Sequence, residues 1–128
     1  MADGIYKDPL NNDGKTRIIQ ELVPGKQITL AHVIANPDED LYTKLGLDPA
    51  GDYNTCAIGI ITMTPSETAI IAGDIATKAS GAKLGFVDRF SGTLIVTGSV
   101  SQVNEAVKAV TDYIREVLGY TVCPITKT

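Results

Sequence analysis

Apolar residues in this chain follow two periods, two and about 3.6, and the switches between them divide it into elements. Residues 17–23 alternate weakly and suit a strand, broken by Pro24-Gly25. Residues 26–35 predict a second strand, with Ile28, Leu30, His32 and Ile34 on one face by period two. Asn36-Pro37-Asp38-Glu39 reads as a helix start: Asn36 as cap, Pro37 in the first turn, Glu39 reaching back. That short helix, 37–45, should stop at Gly46, and 48–54 reads as a loop. Residues 57–63, AIGIITM, are almost continuously apolar and predict a strand buried on both faces. A helix over 65–80 follows, with Thr64 as cap and Ala69, Ala72, Gly73, Ala76 and Ala79 allowing close approach. Residues 83–88 and 93–97 predict strands joined through Phe90-Ser91-Gly92. Ser99 and Gln102 then frame a last helix with an apolar stripe of Val103, Val107, Val110, Ile114 and Val117, stopped by Gly119. Residues 120–125 predict a final short strand. The sum is an α+β layer, a mixed sheet with helices packed on one face of it. Residues 1–16 are polar and turn-rich and read as a flexible tail, leaving 17–128 as one domain.

Composition narrows the classes. A length of 128 residues suits one compact core, and with no Trp and only 5% aromatic residues that core must rest on Ile, Val, Leu and Ala. Eleven basic against 15 acidic side chains give a net charge of −4, and no basic stripe is present, which argues against a nucleic-acid partner. No apolar run approaches the ~18 residues of a membrane span. The N-terminus lacks a secretory signal's apolar stretch, so residence in the cytoplasm is the expectation. Cys56 and Cys123 are then expected as reduced thiols, and no CxxC pair suggests a metal.

Candidate chemistry is thin. His32 is the only histidine, and neither cysteine sits in an active-site signature, so packing or an interface is favoured over catalysis. His32 with Asp38 and Glu39 is the nearest candidate metal cluster, but a helix N-terminus accounts for the two acids. No phosphate-cradling glycine motif occurs, and Gly59, Gly73 and Gly85 inside predicted elements point to close packing. Asp88-Arg89 reads as a strand-end ion pair or an intersubunit contact, and Asp74 and Lys78 are spaced to pair along a helix. No catalytic residue, cofactor site or metal site is assigned.

Four stretches carry a resemblance: RIIQELVPGKQITLAHVIANP, AIGIITMTPSETAIIAGDIATKA, LGFVDRFSGTLIVTGSV and the ending YTVCPITKT. Together they resemble the circularly permuted, hexameric shell proteins of bacterial microcompartments, known from propanediol- and ethanolamine-utilisation compartments. The likeness covers roughly residues 17–128, and the CPITKT ending looks nearer the propanediol type. It implies a permuted, ferredoxin-like BMC fold and a structural role rather than an enzymatic one. The expected partners are five further copies in a hexameric disc, other shell proteins and, beyond them, encapsulated enzymes. It also implies that Arg17, Ile18, Ile19, Gln20, Glu21, Leu22 and Val23 form one strand of a six-stranded barrel capping the central pore. Closing lone apolar strands into a barrel removes their open edges, so the physics agrees. Lys78 matches the family's disc-edge lysine. Asn36 stands where many unpermuted relatives carry an arginine, which implies edge contacts made differently. A propanediol, ethanolamine or choline compartment would each suit. The residues alone leave a second class open, a regulatory α+β domain binding a small molecule between subunits.

Overall fold

The computed structural model describes residues 25–47 and 56–128. The proposed tail, the 17–23 strand and the 48–54 loop lie outside these residues. The elements are β1 (Gln27–Ile34), α1 (Glu39–Leu45), β2 (Ala57–Thr64), α2 (Thr68–Ala79), β3 (Lys83–Asp88), β4 (Thr93–Gly98), α3 (Val100–Glu116), β5 (Thr121–Val122) and β6 (Thr126–Lys127). They form one mixed sheet in the order β3-β4-β2-β1, with β5 and β6 both lying parallel against the far edge of β1.

β2 is apolar from Ala57 to Ile61 because that part is covered on both faces. It pairs antiparallel with β1 on one side and β4 on the other. Ala57, Ile61 and Met63 join the main core under α2 and α3, while Ile58 packs in a second cluster with Tyr42 and Leu47. The short helix α1 therefore covers the face opposite α2 and α3. This corrects the expectation of helices on one face: the alternation of β2 supplies apolar side chains to both sides, and α1 takes the second.

α3 follows its expected stripe for four positions. Val103, Val107, Val110 and Ile114 are fully buried. Val117 is not; it is the C-cap residue and 61% exposed, because the helix ends before the stripe turns inward again. The N-terminus carries the expected capping box: the Gln102 amide donates to Ser99 Oγ at 3.1 Å, and the Ser99 amide donates to Gln102 Oε1 at 3.0 Å.

The other helix starts differ from expectation. α1 begins at Glu39, and its cap is Asp38, whose carboxylate accepts from the Asp40 amide at 2.9 Å. Asn36 lies two residues outside that cap and is exposed. Thr64 is the last ladder residue of β2, opposite Gln27, and does not cap α2. Instead the amides of Thr68, Ala69 and Ile70 bond three residues back, to Pro65, Ser66 and Glu67, so a tight 3₁₀-type turn leads into the helix.

β1 also turns a face. A register irregularity between Ile28 and Leu30 reverses the alternation. Ile28, Ala31 and Val33 are buried, whereas Leu30 is 41% exposed. The expected final short strand over 120–125 is two short bridges on either side of Pro124. Proline has no amide to give to a ladder, so the pairing lapses there.

Candidate functional site

The outer strand β3 is the feature that a lone subunit cannot account for. It pairs only with β4 among the described residues, and its residues from Lys83 to Val87 are all exposed. Leu84 and Phe86 are each 47% exposed, and Phe90, just beyond the strand, is 79% exposed. Ile70 and Ile71 on α2 are also exposed, and Ile71 lines a cleft with Tyr113 of α3. A strand with a bare hydrogen-bonding edge and bulky apolar side chains is a template for association unless something covers it.

The hairpin after β3 is held rigid. The Asp88 carboxylate accepts from the Phe90 amide at 2.9 Å. That backbone bond, aided by Ser91, holds the Asp88 carboxyl below its usual range. The Gly92 amide donates to Asp88 O and Gly92 O accepts from the Met63 amide, both at 2.9 Å. Gly92 has φ +76°, and a side chain there would collide with the Met63 carbonyl. Asp88 and Arg89 thus do not form the expected ion pair: the acid caps the turn, and the Arg89 guanidinium lies 4.8 Å from the Phe90 ring centroid.

Lys78 sits in the last turn of α2, largely exposed, and its Nζ lies 2.9 Å from Asp74 Oδ2 as the i,i+4 spacing predicts. The pair rims an open cleft of about 380 Å³ lined by Ile71, Ile75, Ala79 and Tyr113. No hydrogen bond or ion pair links Lys78 to Asn36 among the described residues; the two proposed edge residues stand apart within one subunit. Residues 17–23 lie outside the described residues. Sequence reading missed β3 itself as a functional surface. The signal was present, since LGFV places apolar residues in a strand next to a turn, but only the topology shows that the strand is an edge.

His32 has a structural position. Its Nδ1 lies 2.6 Å from Thr126 Oγ1 and its Nε2 2.9 Å from Thr128 Oγ1, so both ring nitrogens are engaged. No group of three or more His, Cys, Asp or Glu placed to hold a metal exists among the described residues. Cys56 and Cys123 form no disulfide and pack in different apolar clusters. Burial pushes the Cys123 thiol and the Tyr42 phenol up from their ordinary ranges, which makes neither a ready nucleophile. No helix among the described residues is long and apolar enough to cross a membrane.

The described residues thus form an α+β domain whose outer strand presents apolar side chains to solvent. The chain belongs to the BMC domain family, the shell proteins of bacterial microcompartments, whose pattern matches residues 57–126. The microcompartment shell protein PduU of Salmonella typhimurium is 55% identical over 112 residues, covering 88% of this chain and 93% of its own length. The shell protein EutS of Escherichia coli K12 is 54% identical over 113 residues, covering 88% of this chain and 97% of its own. The solved structure of the CutR flat hexamer superposes with a TM-score of 0.75 at 47% identity, covering 88% of this chain and 99% of that one. The lean of the CPITKT ending toward the propanediol type is not reflected overall, since 55% and 54% identity do not separate PduU from EutS. The relatives are structural shell proteins rather than enzymes.

Proposed function

We propose that this chain is the subunit of a hexameric shell disc, with β3 and its hairpin forming one side of the subunit interface. The observation that carries the reading is the exposed apolar edge of β3, set in a chain 47% identical to one solved as a flat hexamer. A ring repeats one heterologous contact until it closes, so each copy needs two different faces. β3 supplies one; the second lies on the other side of the subunit, beyond the β1 edge. Light scattering of the full chain at micromolar concentration tests this: a mass six times that of the subunit is expected, and a clean monomer overturns it.

Two finer features belong to the same reading. Residues 17–23 cap the central pore as one strand each of a six-stranded barrel, and Lys78 and Asn36 lie at the disc edge, where discs meet to tile a shell around enzymes in the cytoplasm. Deleting residues 1–23 should leave a folded ring with an uncovered pore, visible as a lost central density by negative-stain averaging. Failure of the truncated subunit to fold would place that strand in the subunit's own core. Lys78→Ala should abolish or weaken sheet formation while leaving ring mass unchanged. Because the Asp74–Lys78 pair is exposed, the subunit should lose no more than about 0.5 kcal/mol of stability, measured by urea unfolding. Loss of the ring in that variant would overturn the edge assignment.

A further inference from the structure

The segment after α3 is fastened to β1 in two unequal ways. Tyr120 is moored: its amide donates to Ile114 O at 3.1 Å, and its hydroxyl lies 2.9 Å from Thr68 Oγ1. Val122 and Cys123 still pack against the core. Beyond them residues 124–128 are all exposed, and apolar burial contributes little to holding them. What holds them is polar. The Thr128 amide donates to Val33 O and the Ala35 amide to Thr128 O, both at 2.9 Å. His32 spans the hydroxyls of Thr126 and Thr128, two residues apart on one side of the strap.

One tautomer of His32 satisfies every group. Thr126 Oγ1 donates to Ala31 O at 3.4 Å. Thr126 Oγ1 then accepts from His32 Nδ1–H, and His32 Nε2 accepts from the Thr128 hydroxyl. A neutral imidazole offers one donor and one acceptor, and this arrangement uses both. His32 therefore reads a Thr-x-Thr pair while the β1 backbone supplies the ladder.

We propose that His32 is the latch of a C-terminal strap, residues 124–128, and that the slot it guards on β1 also accepts the same strap from a second copy of the chain. The slot takes this segment in parallel, in the register His32↔Thr126 and Val33↔Lys127, and His32 adds a readout of the Thr-x-Thr pair. An identical strap from a neighbour makes the same bonds, so exchange loses no contact. Pro124 breaks the ladder between the two bridges and supplies the pivot, since Tyr120 stays moored. Five extended residues reach about 17 Å, so a neighbour touching this side of the subunit is close enough. A strap that leaves without replacement bares the outer edge of β1 around His32 and Val33, while β5 keeps its pairing at Gln27 and Ile28; that open edge favours refilling the slot.

Amide hydrogen exchange tests both halves. In His32→Ala, and separately in the double variant Thr126→Val with Thr128→Val, the Ala35 and Thr128 amides should exchange about tenfold faster while β2 amides keep their protection. Unchanged protection at Ala35 overturns the latch. For the second half, a ¹⁵N-labelled chain lacking residues 124–128 is refolded with an equal amount of unlabelled His32→Ala chain, which carries a strap but a poor slot. The labelled Ala35 amide, unprotected alone, should regain protection in the mixture; if it stays unprotected, the slot does not take a second copy's strap. Should the truncated chain fail to protect β2, the Thr126→Val, Thr128→Val chain replaces it as the acceptor. The readout is one amide rather than assembly mass, so failure here leaves the ring reading standing, and a monomeric full chain leaves the latch standing.

Discussion

Gly59→Val should lower the stability of the subunit by about 3 kcal/mol or more, read as a fall in the urea midpoint with little change in slope. Gly59 lies in the middle of β2, where the sheet is covered by α3. A Cβ there would come 2.9 Å from three methyl groups, those of Val96, Val103 and Val107. All three residues are fully buried. Two of them are valines on a helix, which have essentially one side-chain rotamer available, so they cannot swing aside. The new side chain would have to lift α3 from the sheet, opening the main core along Val103, Val107 and Val110. A matched control separates crowding from the loss of a glycine. At Gly73 in α2, an added Cβ would meet Leu84, Val87 and Leu94 at 3.5–3.7 Å, which is ordinary contact. Gly73→Ala should therefore be neutral or gain up to about 1 kcal/mol from helix propensity. An unchanged midpoint for Gly59→Val would mean that α3 is not packed on β2 as described.

The same two glycines show how far the sequence alone reaches. Both sit inside periodic elements, and both suggest close packing by position. Only the helix across the sheet makes one of them indispensable and the other replaceable. Elsewhere, local signals were enough. The run of apolar residues in β2 exists because two faces are covered, and a central strand follows from it. The Ser99 and Gln102 pair satisfies two amides within one turn, so the start of α3 is written in four consecutive residues. Where two local signals compete, pattern alone does not decide between them. Asn36 and Asp38 are both good caps, and the charged one nearer the acidic first turn prevails. The face of β1 is not legible beyond Ile28, because a bulge has no strong sequence mark and one extra residue exchanges the buried and exposed sets. The open edge of β3 was legible neither in the pattern nor in the resemblance. Nothing in LGFV says that its strand will lack a neighbour; strand order is set by long-range pairing, which periodicity does not encode.

Phe86→Glu should convert the ring to folded monomers, with light scattering falling to the subunit mass while far-ultraviolet dichroism is retained. Within the subunit Phe86 is already about half exposed, at 47%, so replacing it removes only part of an aromatic burial and costs the fold on the order of 1 kcal/mol. Within the proposed ring the balance differs. In that proposal the β3 edge of each copy meets the next copy's opposite side, and Phe86→Glu would carry a carboxylate into a contact that otherwise receives an aromatic ring. Desolvating an unpaired charge costs several kcal/mol, and cyclic symmetry repeats the penalty at every one of six interfaces. A ring loses its closure if any contact opens, so the effect on assembly is far larger than the effect on any one subunit. The Lys78→Ala variant provides the contrast, because it changes an exposed ion pair on α2 and should leave the ring intact. If Phe86→Glu keeps the hexamer mass, β3 faces solvent in the assembly, and another surface closes the ring. If it unfolds the subunit, Leu84→Glu offers a second probe of the edge, since Leu84 is equally exposed on the same strand. Monomers from either variant with native dichroism would locate the interface on β3, while hexamers from both would remove it from there.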